Sequence, residues 1–366
     1  MQIEVLRTDL HRVRTVDASP GPLAPGAARV RIETFALSSN NISYAAFGDA
    51  LRYWDFFPAA SGAEGESWGR IPVWGFARVV ETDAPDVTVG ERLYGYWPMG
   101  SDLDITPGRS NERAVADLAP HRAAMAAAYS RYARVDADPM LRAGREAHQM
   151  LLFPLFYTSF LADDFLADHD DFGAGVTIVS SASSKTAIGI AHRSRARDHR
   201  CIGLTSGGNR AFTEELGVYD LVLTYDEIGE VPLGPSAYVD LAGNAAITRA
   251  VHERLGDALG HSMIVGGTHW DQPGDDSGAS LPGPRPAFFF APTQIAKRVE
   301  EWGQETMDAR LGEAWDEYAA WCDSWIEFRE FAGPDAVTAA YLELLEAGAD
   351  PRVGYICTLD PDAVGV

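Results

Sequence analysis

Apolar and polar residues alternate along ARVRIETFAL, IPVWGFARVVET and VGERLYGYWP, the pattern of strands buried on one face. Gly and Pro stand between these segments, so from residue 1 to about 116 the chain reads as a β-rich domain of barrel or sandwich type. After Pro120 the period changes: HRAAMAAAYSRYARV and PMLRAGREAHQMLLFPLFYTSFLADDFL have helical spacing and many alanines. From Val176 onward VTIVSS, CIGLTS, LVLTY, SAYVDLAG and HSMIVGGT are short apolar runs, separated by the amphipathic TAIGIAHRSRA, NRAFTEELG and AAITRAVHERLG. Strands that are apolar throughout, with helices between them, predict a parallel sheet covered on both faces, the doubly wound α/β arrangement. The stretch 271–286, DQPGDDSGASLPGPRP, is a loop by composition. A helical tract is expected over 293–347, and PRVGYICTL reads as a last strand.

The 366 residues, 46% of them hydrophobic, suffice for two domains with separate cores. A formal net charge of −23, from 53 acidic against 30 basic residues, argues against a nucleic-acid partner, which needs basic surface to displace counterions. Cys201, Cys322 and Cys357 lie far apart and form neither a disulfide framework nor a metal knuckle, which fits a reducing compartment. MQIEVLRTDLHRV reads as a strand rather than a signal, and no apolar run reaches the length of a membrane span. A cytoplasmic location without a membrane partner is expected.

The turn 180–189, SSASSKTAIG, joins the first apolar strand to its helix. In a doubly wound sheet such a turn offers backbone N–H groups and a helix N-terminus to a phosphate. Its usual glycines serve a tight turn, close approach of the ligand and helix packing. Here Gly189 alone is in register, with Ala182 and Ala187 as small substitutes. Ser181, Ser183, Ser184 and Thr186 add hydroxyls, and Lys185 adds a positive charge. The SKT tail does not make a Walker A loop, whose glycine places hold Val179 and Ser184. A serine-rich N-cap is the plain alternative, and capping is compatible with phosphate binding. The second strand decides for a nucleotide: CIGLTSGGNRAF has no carboxylate at its tip for a ribose 2′-hydroxyl, while Ser206, Asn209 and Arg210 follow. Arg210 with Ser206 and Lys185 suits a 2′-phosphate, so NADP is the expected cofactor.

With these segments in place, the order of parts resembles the medium-chain dehydrogenase/reductase superfamily, and more narrowly its zinc-free quinone oxidoreductase and enoyl reductase branch. NNISYAAFGD, YWDFFPA, IPVWGFA and FFFAP look like an uncharacterised bacterial family within it. The resemblance implies a GroES-like β-barrel domain, residues 1–130 completed by 340–366, and a Rossmann-like dinucleotide-binding domain, 131–339. It implies Thr158 beside the nicotinamide, Tyr225 on the adenosine phosphate side, and Gly266, Gly267 and Thr268 at the carboxamide. Asn40 or Asn41 takes the place of the asparagine beside the nicotinamide ribose and substrate. Dimers are usual in the superfamily, which makes a homodimer the expectation by analogy. Zinc members carry an early Cys and a Gly-His-Glu motif, whereas VWGFARVV keeps Gly75 but has Phe76 and Ala77, and no Cys precedes Cys201. A site needing three protein ligands cannot form there, so no metal is expected.

Hydride delivered to an activated alkene leaves an enolate, which needs a donor at oxygen and a proton at the α-carbon. Tyr53 and Tyr44 flank the segment where the zinc-free enoyl reductases carry a catalytic tyrosine, Tyr53 nearer that spacing and Tyr44 nearer the asparagines. Each also has a plain reading as a core residue. His269 is a further donor candidate, against the reading of a satisfied surface group. Trp54, Phe56, Phe57, Trp74, Trp97 and Trp270 suggest an aromatic-lined pocket, with barrel core as the alternative, favoured for Trp74. The expected function is a zinc-independent, NADPH-dependent reductase of a small α,β-unsaturated carbonyl or quinone-type substrate. Its rivals are a nucleotide-binding scaffold without turnover and a non-redox enzyme on the same fold.

Overall fold

A computed structural model describes residues 1–17, 20–59, 66–265, 281–346 and 350–361. The chain divides into two compact units, Met1–Leu151 with Ile326–Val366, and Leu152–Trp325.

The first unit is built on a long mixed sheet with Ala28–Leu37 and Pro72–Thr82 antiparallel at its centre. Arg92–Pro98, Arg131–Arg134, Ala114–Asp117 and Pro107–Gly108 follow on one side. On the other side Val353–Thr358 pairs with Ala28–Leu37, and Glu327–Ala332 pairs with Val353–Thr358 in parallel. Parallel neighbours need a crossover, and the helix Pro334–Leu345 provides it. The alternating segments therefore become strands as their period predicts, and their inner faces bury Val30, Phe35, Leu37, Val73, Val79, Leu93 and Tyr355 in one core.

Two segments depart from their periodicity. The tract 293–347 is broken by the strand Glu327–Ala332. Its Phe328 and Phe331 stand three apart, a spacing helices also use, and pairing along Val353–Thr358 overrides that local preference. The alanine-rich stretch after Pro120 forms the short turns Pro120–Arg122 and Ala127–Ser130 and then the strand Arg131–Arg134. The cause is tertiary: Arg122 is buried on Asp117 at 2.9 Å, and the Tyr132 ring stacks on Trp97 at 4.1 Å.

In the second unit Val176–Val179, Arg200–Thr205, Leu221–Thr224, Ser236–Asp240, Leu259–Ile264 and Ala287–Phe288 form one parallel sheet. Numbered along the chain, their order across the sheet is 3-2-1-4-5-6. In that order the winding reverses beside the first strand and leaves a crevice at the carboxyl ends. Gly189 lies where the helix Lys185–Ala196 meets the helix Phe153–Asp168, since a Cβ there would come within 2.5 Å of Ser159 Oγ. It serves close helix packing, one of the tasks for which such turns use glycine. The chain reaches the first strand through a left-handed run, with φ of 51° at Asp170, 48° at Asp171, 54° at Phe172 and 73° at Gly173. Each non-glycine residue there costs about 1–2 kcal/mol. The run is held by two Arg197 bonds to Asp171, at 3.1 and 3.0 Å, and by Phe172 stacking on His261 at 3.9 Å.

Candidate functional site

Ser180 follows the first strand of the parallel sheet and is buried; its Oγ donates to Asp240 Oδ1 at 2.9 Å and accepts from the amides of Leu241 and Ala242 at 2.9 and 3.0 Å. Asp240 also accepts from Thr248 Oγ1 at 2.8 Å and from the amides of Ala242 and Gly243 at 3.0 and 3.1 Å. The base of the crevice between the first and fourth strands is thus a satisfied polar network. Beyond it the chain turns through Ser181, whose φ of 50° is in the region where glycine is usual. The Ser181 amide donates to the Tyr225 hydroxyl at 3.1 Å, and Asn209 Nδ2 donates to Ser183 Oγ at 2.9 Å. Ser184 caps the helix Lys185–Ala196, its Oγ accepting from the Ala187 amide at 3.3 Å. The Thr186 carbonyl accepts from Ser159 Oγ at 2.8 Å. The cap read from SSASSKT is therefore real, and it sits at the topological switch point.

The structure brings Ser181, Ser183, Ser184, Lys185, Thr186, Asn209 and Tyr225 together at this turn. Thr158 lies on the helix Phe153–Asp168 beside Ser159, its hydroxyl turned back to the Pro154 carbonyl at 3.3 Å. Ser206 is exposed at the start of the short turn Gly207–Asn209. Arg210 is partly exposed and already engaged: Nη1 reaches both Glu227 oxygens at 2.9 and 2.8 Å, and Nε reaches Glu214 at 2.9 Å. Hydrogen bonding to Glu214 and then Glu227 raises the guanidinium pKa, while the Thr224 amide and then Arg210 lower that of Glu227. The tip of the second strand lacks a carboxylate, as its sequence shows, but the turn after the third strand supplies Glu227. The segment LVLTYDE carried that signal two residues beyond Tyr225. Gly266, Gly267 and Thr268, with His269 and Trp270, lie outside the described residues.

The first unit holds an aromatic cluster. Tyr44, on the helix Ser39–Ala46, and Tyr53, on the turn Tyr53–Asp55, have ring centroids 4.5 Å apart. Tyr96 lies 5.6 Å from Tyr44, 5.2 Å from Trp74 and 4.7 Å from Tyr129, and Tyr129 lies 6.3 Å from Tyr53. Phe56 and Phe57 complete it. Sequence reasoning missed Tyr96 and Tyr129, although the alternation in YGYWP puts Tyr94 and Tyr96 on one face and Trp97 on the other. Trp97 and Trp54 belong to the main core instead, whereas Trp74 joins the cluster and is half-buried rather than barrel core. Arg122 fixes one wall by donating to the Phe56 carbonyl at 3.0 Å and to the Tyr132 hydroxyl at 2.9 Å.

Burial raises the pKa of Tyr44, Tyr53, Tyr96 and Tyr129 well above the usual phenol value, and neighbouring tyrosines add to the rise. All four stay protonated, each with a hydroxyl hydrogen to offer. No acid or base is among the main influences on any of them. Asn41 is buried and committed to the helix cap: Oδ1 accepts from the Ser38 amide and Nδ2 donates to the Pro72 carbonyl, both at 2.8 Å. Asn40 is the member of the pair whose side chain faces the Tyr44 hydroxyl.

Over residues 35–350 the sequence matches the model of a family described as a protein of unknown function, DUF2855. The chain belongs to that family. No curated protein matches the DUF2855 chain. Solved structures are similar to it: CurA from Vibrio vulnificus, 12% identical, covers 98% of each chain with a TM-score of 0.60. The same protein in complex with NADPH gives 12% identity, 95% of this chain and 94% of that one, with a TM-score of 0.58. A putative NADPH:quinone reductase from Mesorhizobium loti is 12% identical over 92% of this chain and 88% of its own, with a TM-score of 0.57. A mutant enoyl thioester reductase from Candida tropicalis is 10% identical over 98% of both chains, with a TM-score of 0.54. At these identities the likeness is one of fold, and that fold is the GroES-like domain plus Rossmann-like domain expected from the resemblance. Among the described residues no cluster of three or more His, Cys, Asp or Glu is placed to hold a metal, and no helix is long and apolar enough to cross a membrane.

Proposed function

We propose that this protein is an NADPH-dependent reductase that works without a metal and reduces a small molecule whose carbonyl is conjugated to a carbon–carbon double bond, quinones included. The observation that carries the reading is the convergence of Tyr225 and Asn209 on the turn 181–183, at the carboxyl end of the first strand of a 3-2-1-4-5-6 sheet. The likeness in fold to CurA, solved with NADPH, supports it. The donor set suits a diphosphate: the first amides of this 12-residue helix lack intrahelical acceptors, and its dipole, the serine hydroxyls and Lys185 favour an anion. Arg210 would exchange its carboxylate partners for a 2′-phosphate. The metal-free reading is supported by Phe76 and Ala77, both fully buried and without a ligating atom where zinc relatives need ligands.

NADPH, when bound, supplies the hydride. This chain's own residues then hold the carbonyl oxygen as it gains charge and give a proton to the α-carbon. Tyr53 and Tyr44 are the candidate donors, each kept neutral by burial. Asn40 lies beside the Tyr44 hydroxyl, and Asn41 holds the helix that carries it. Fluorescence titration is expected to show NADPH binding more tightly than NADH, and NADPH absorbance should fall with enones or quinones even in the presence of EDTA. Absence of NADPH binding overturns the reading.

A further inference from the structure

The guanidinium of Arg210 is held on two sides. Nη1 reaches Glu227 Oε1 and Oε2 at 2.9 and 2.8 Å, Nε reaches Glu214 Oε1 at 2.9 Å, and Nη2 makes no hydrogen bond among the described residues. A guanidinium binds a phosphate best through two parallel N–H bonds, which come from Nε with Nη2 or from Nη1 with Nη2. Each pair already has one nitrogen on a carboxylate, so a 2′-phosphate that takes a fork at Arg210 meets either Glu214 or Glu227. The two acids are not alike. Glu214 lies one turn along the helix Arg210–Glu215, is exposed, and bonds through its carboxylate to Arg210 alone, so it is free to swing into water. Glu227 is fixed from behind: its Oε2 accepts from the Thr224 amide at 2.9 Å and the Thr224 hydroxyl at 3.1 Å, a capping box on the turn Tyr225–Glu230. Its charge therefore stays in place when Glu214 leaves. The group stands beside the turn that suits the diphosphate, since Asn209 bonds Ser183 and Tyr225 bonds the Ser181 amide. One positive charge thus faces two negative ones before a phosphate, itself bearing about −1.5 to −2, arrives. A ribose with a free 2′-hydroxyl brings no such charge, and a carboxylate is its usual acceptor.

We propose that Glu227 sets the coenzyme preference of this protein: its fixed carboxylate opposes a 2′-phosphate at Arg210 and tolerates a 2′-hydroxyl, so NADPH is preferred over NADH by less than Arg210 alone would give. This role rests on the reductase reading and its placement of Arg210, and it names the residue that tunes the same site.

The test titrates NADPH and NADH by fluorescence against the full chain and its variants. Glu227→Gln keeps an oxygen for the Thr224 amide, as capping boxes with glutamine do, and removes the charge. It should tighten NADPH about three- to tenfold and leave NADH equal or weaker. Glu214→Gln should shift the ratio of the two affinities less, because that side chain already swings free. Combining Arg210→Ala with Glu227→Gln should abolish the gain, since the two residues act through one contact. The role is overturned by a ratio in Glu227→Gln that falls or stays within about twofold of the unaltered chain, and equally by loss of both coenzymes in that variant. A gain that survives without Arg210, or a larger shift in Glu214→Gln, overturns it too. In all these cases the unaltered chain still binds NADPH and the reductase reading stands. If the unaltered chain binds no NADPH the reductase reading falls, and the role of Glu227 falls with it unless Glu227→Gln restores binding.

Discussion

The turn of the second unit and the aromatic cluster of the first treat polar groups in opposite ways. At the turn the hydroxyls of Ser180, Ser183 and Ser184 have partners, and Asp240 gathers four donors. In the cluster the Tyr96 hydroxyl and Trp74 Nε1 have no well-aligned bond among the described residues and lie beside the Tyr44 hydroxyl. Satisfied buried networks rigidify, whereas orphaned donors lower stability until something accepts from them. The first region is therefore held rigid by its hydrogen bonds, and the second by the packing of its rings.

The contrast is broken most severely at Asp240. Asp240→Ala leaves the Ser180 hydroxyl and the Gly243 amide without an acceptor, and urea denaturation should show a loss of roughly 2–3 kcal/mol, against little for Tyr96→Phe. A loss under about 1 kcal/mol at Asp240 would mean the crevice is wetter than its hydrogen bonds imply. His192 comes next, a cluster-like environment inside the second unit: burial, then Arg193 and Arg195, lower its pKa from 6.5 to about 4. The unfolded chain takes up this proton below its ordinary value and the folded one does not, so stability falls as pH drops from 6.5 towards 4. The cost by the acid end is roughly 2–3 kcal/mol, and His192→Leu should flatten that part of the pH profile of the unfolding midpoint. A smaller effect is expected at Ser181, where glycine would relieve the left-handed backbone. Ser181→Gly should gain up to about 1 kcal/mol in denaturant, and a loss would show that the serine hydroxyl holds the turn. Arg210→Ala should leave stability untouched and weaken NADPH while NADH is unaffected; equal losses for both would place the 2′-phosphate elsewhere.

The second unit was the more legible in the sequence. Its strands are apolar throughout and its helices amphipathic, so periodicity located the sheet, and the first strand-to-helix turn located Ser181 to Lys185. Glu227 was not read there, because nothing local says that a residue after the third strand will reach Arg210 after the second. In the first unit alternation found the strands but gave the wrong membership for the aromatics. Trp97 and Tyr96 are adjacent in sequence and so face opposite sides of one strand, and a list of bulky residues hides that distinction. Tyr129 lies in a stretch whose alanines favour helix, and its place is set by ring contacts with Tyr53, Phe56, Trp74 and Tyr96, which have no local signature. Glu327–Ala332 was hidden for the same reason, since its partner comes from a later part of the chain.

The pairing of Ala28–Leu37 has a consequence for synthesis. One neighbour, Pro72–Thr82, leaves the ribosome soon after it, but the residues that cover Phe35, Ala36 and Leu37 are Cys357, Ile356 and Tyr355. The whole of the second unit is translated while that edge stays open, and an unpaired strand edge is a template for pairing with other chains. Polypeptides stalled or cut before residue 353 should therefore aggregate through the first unit, however well the second has folded.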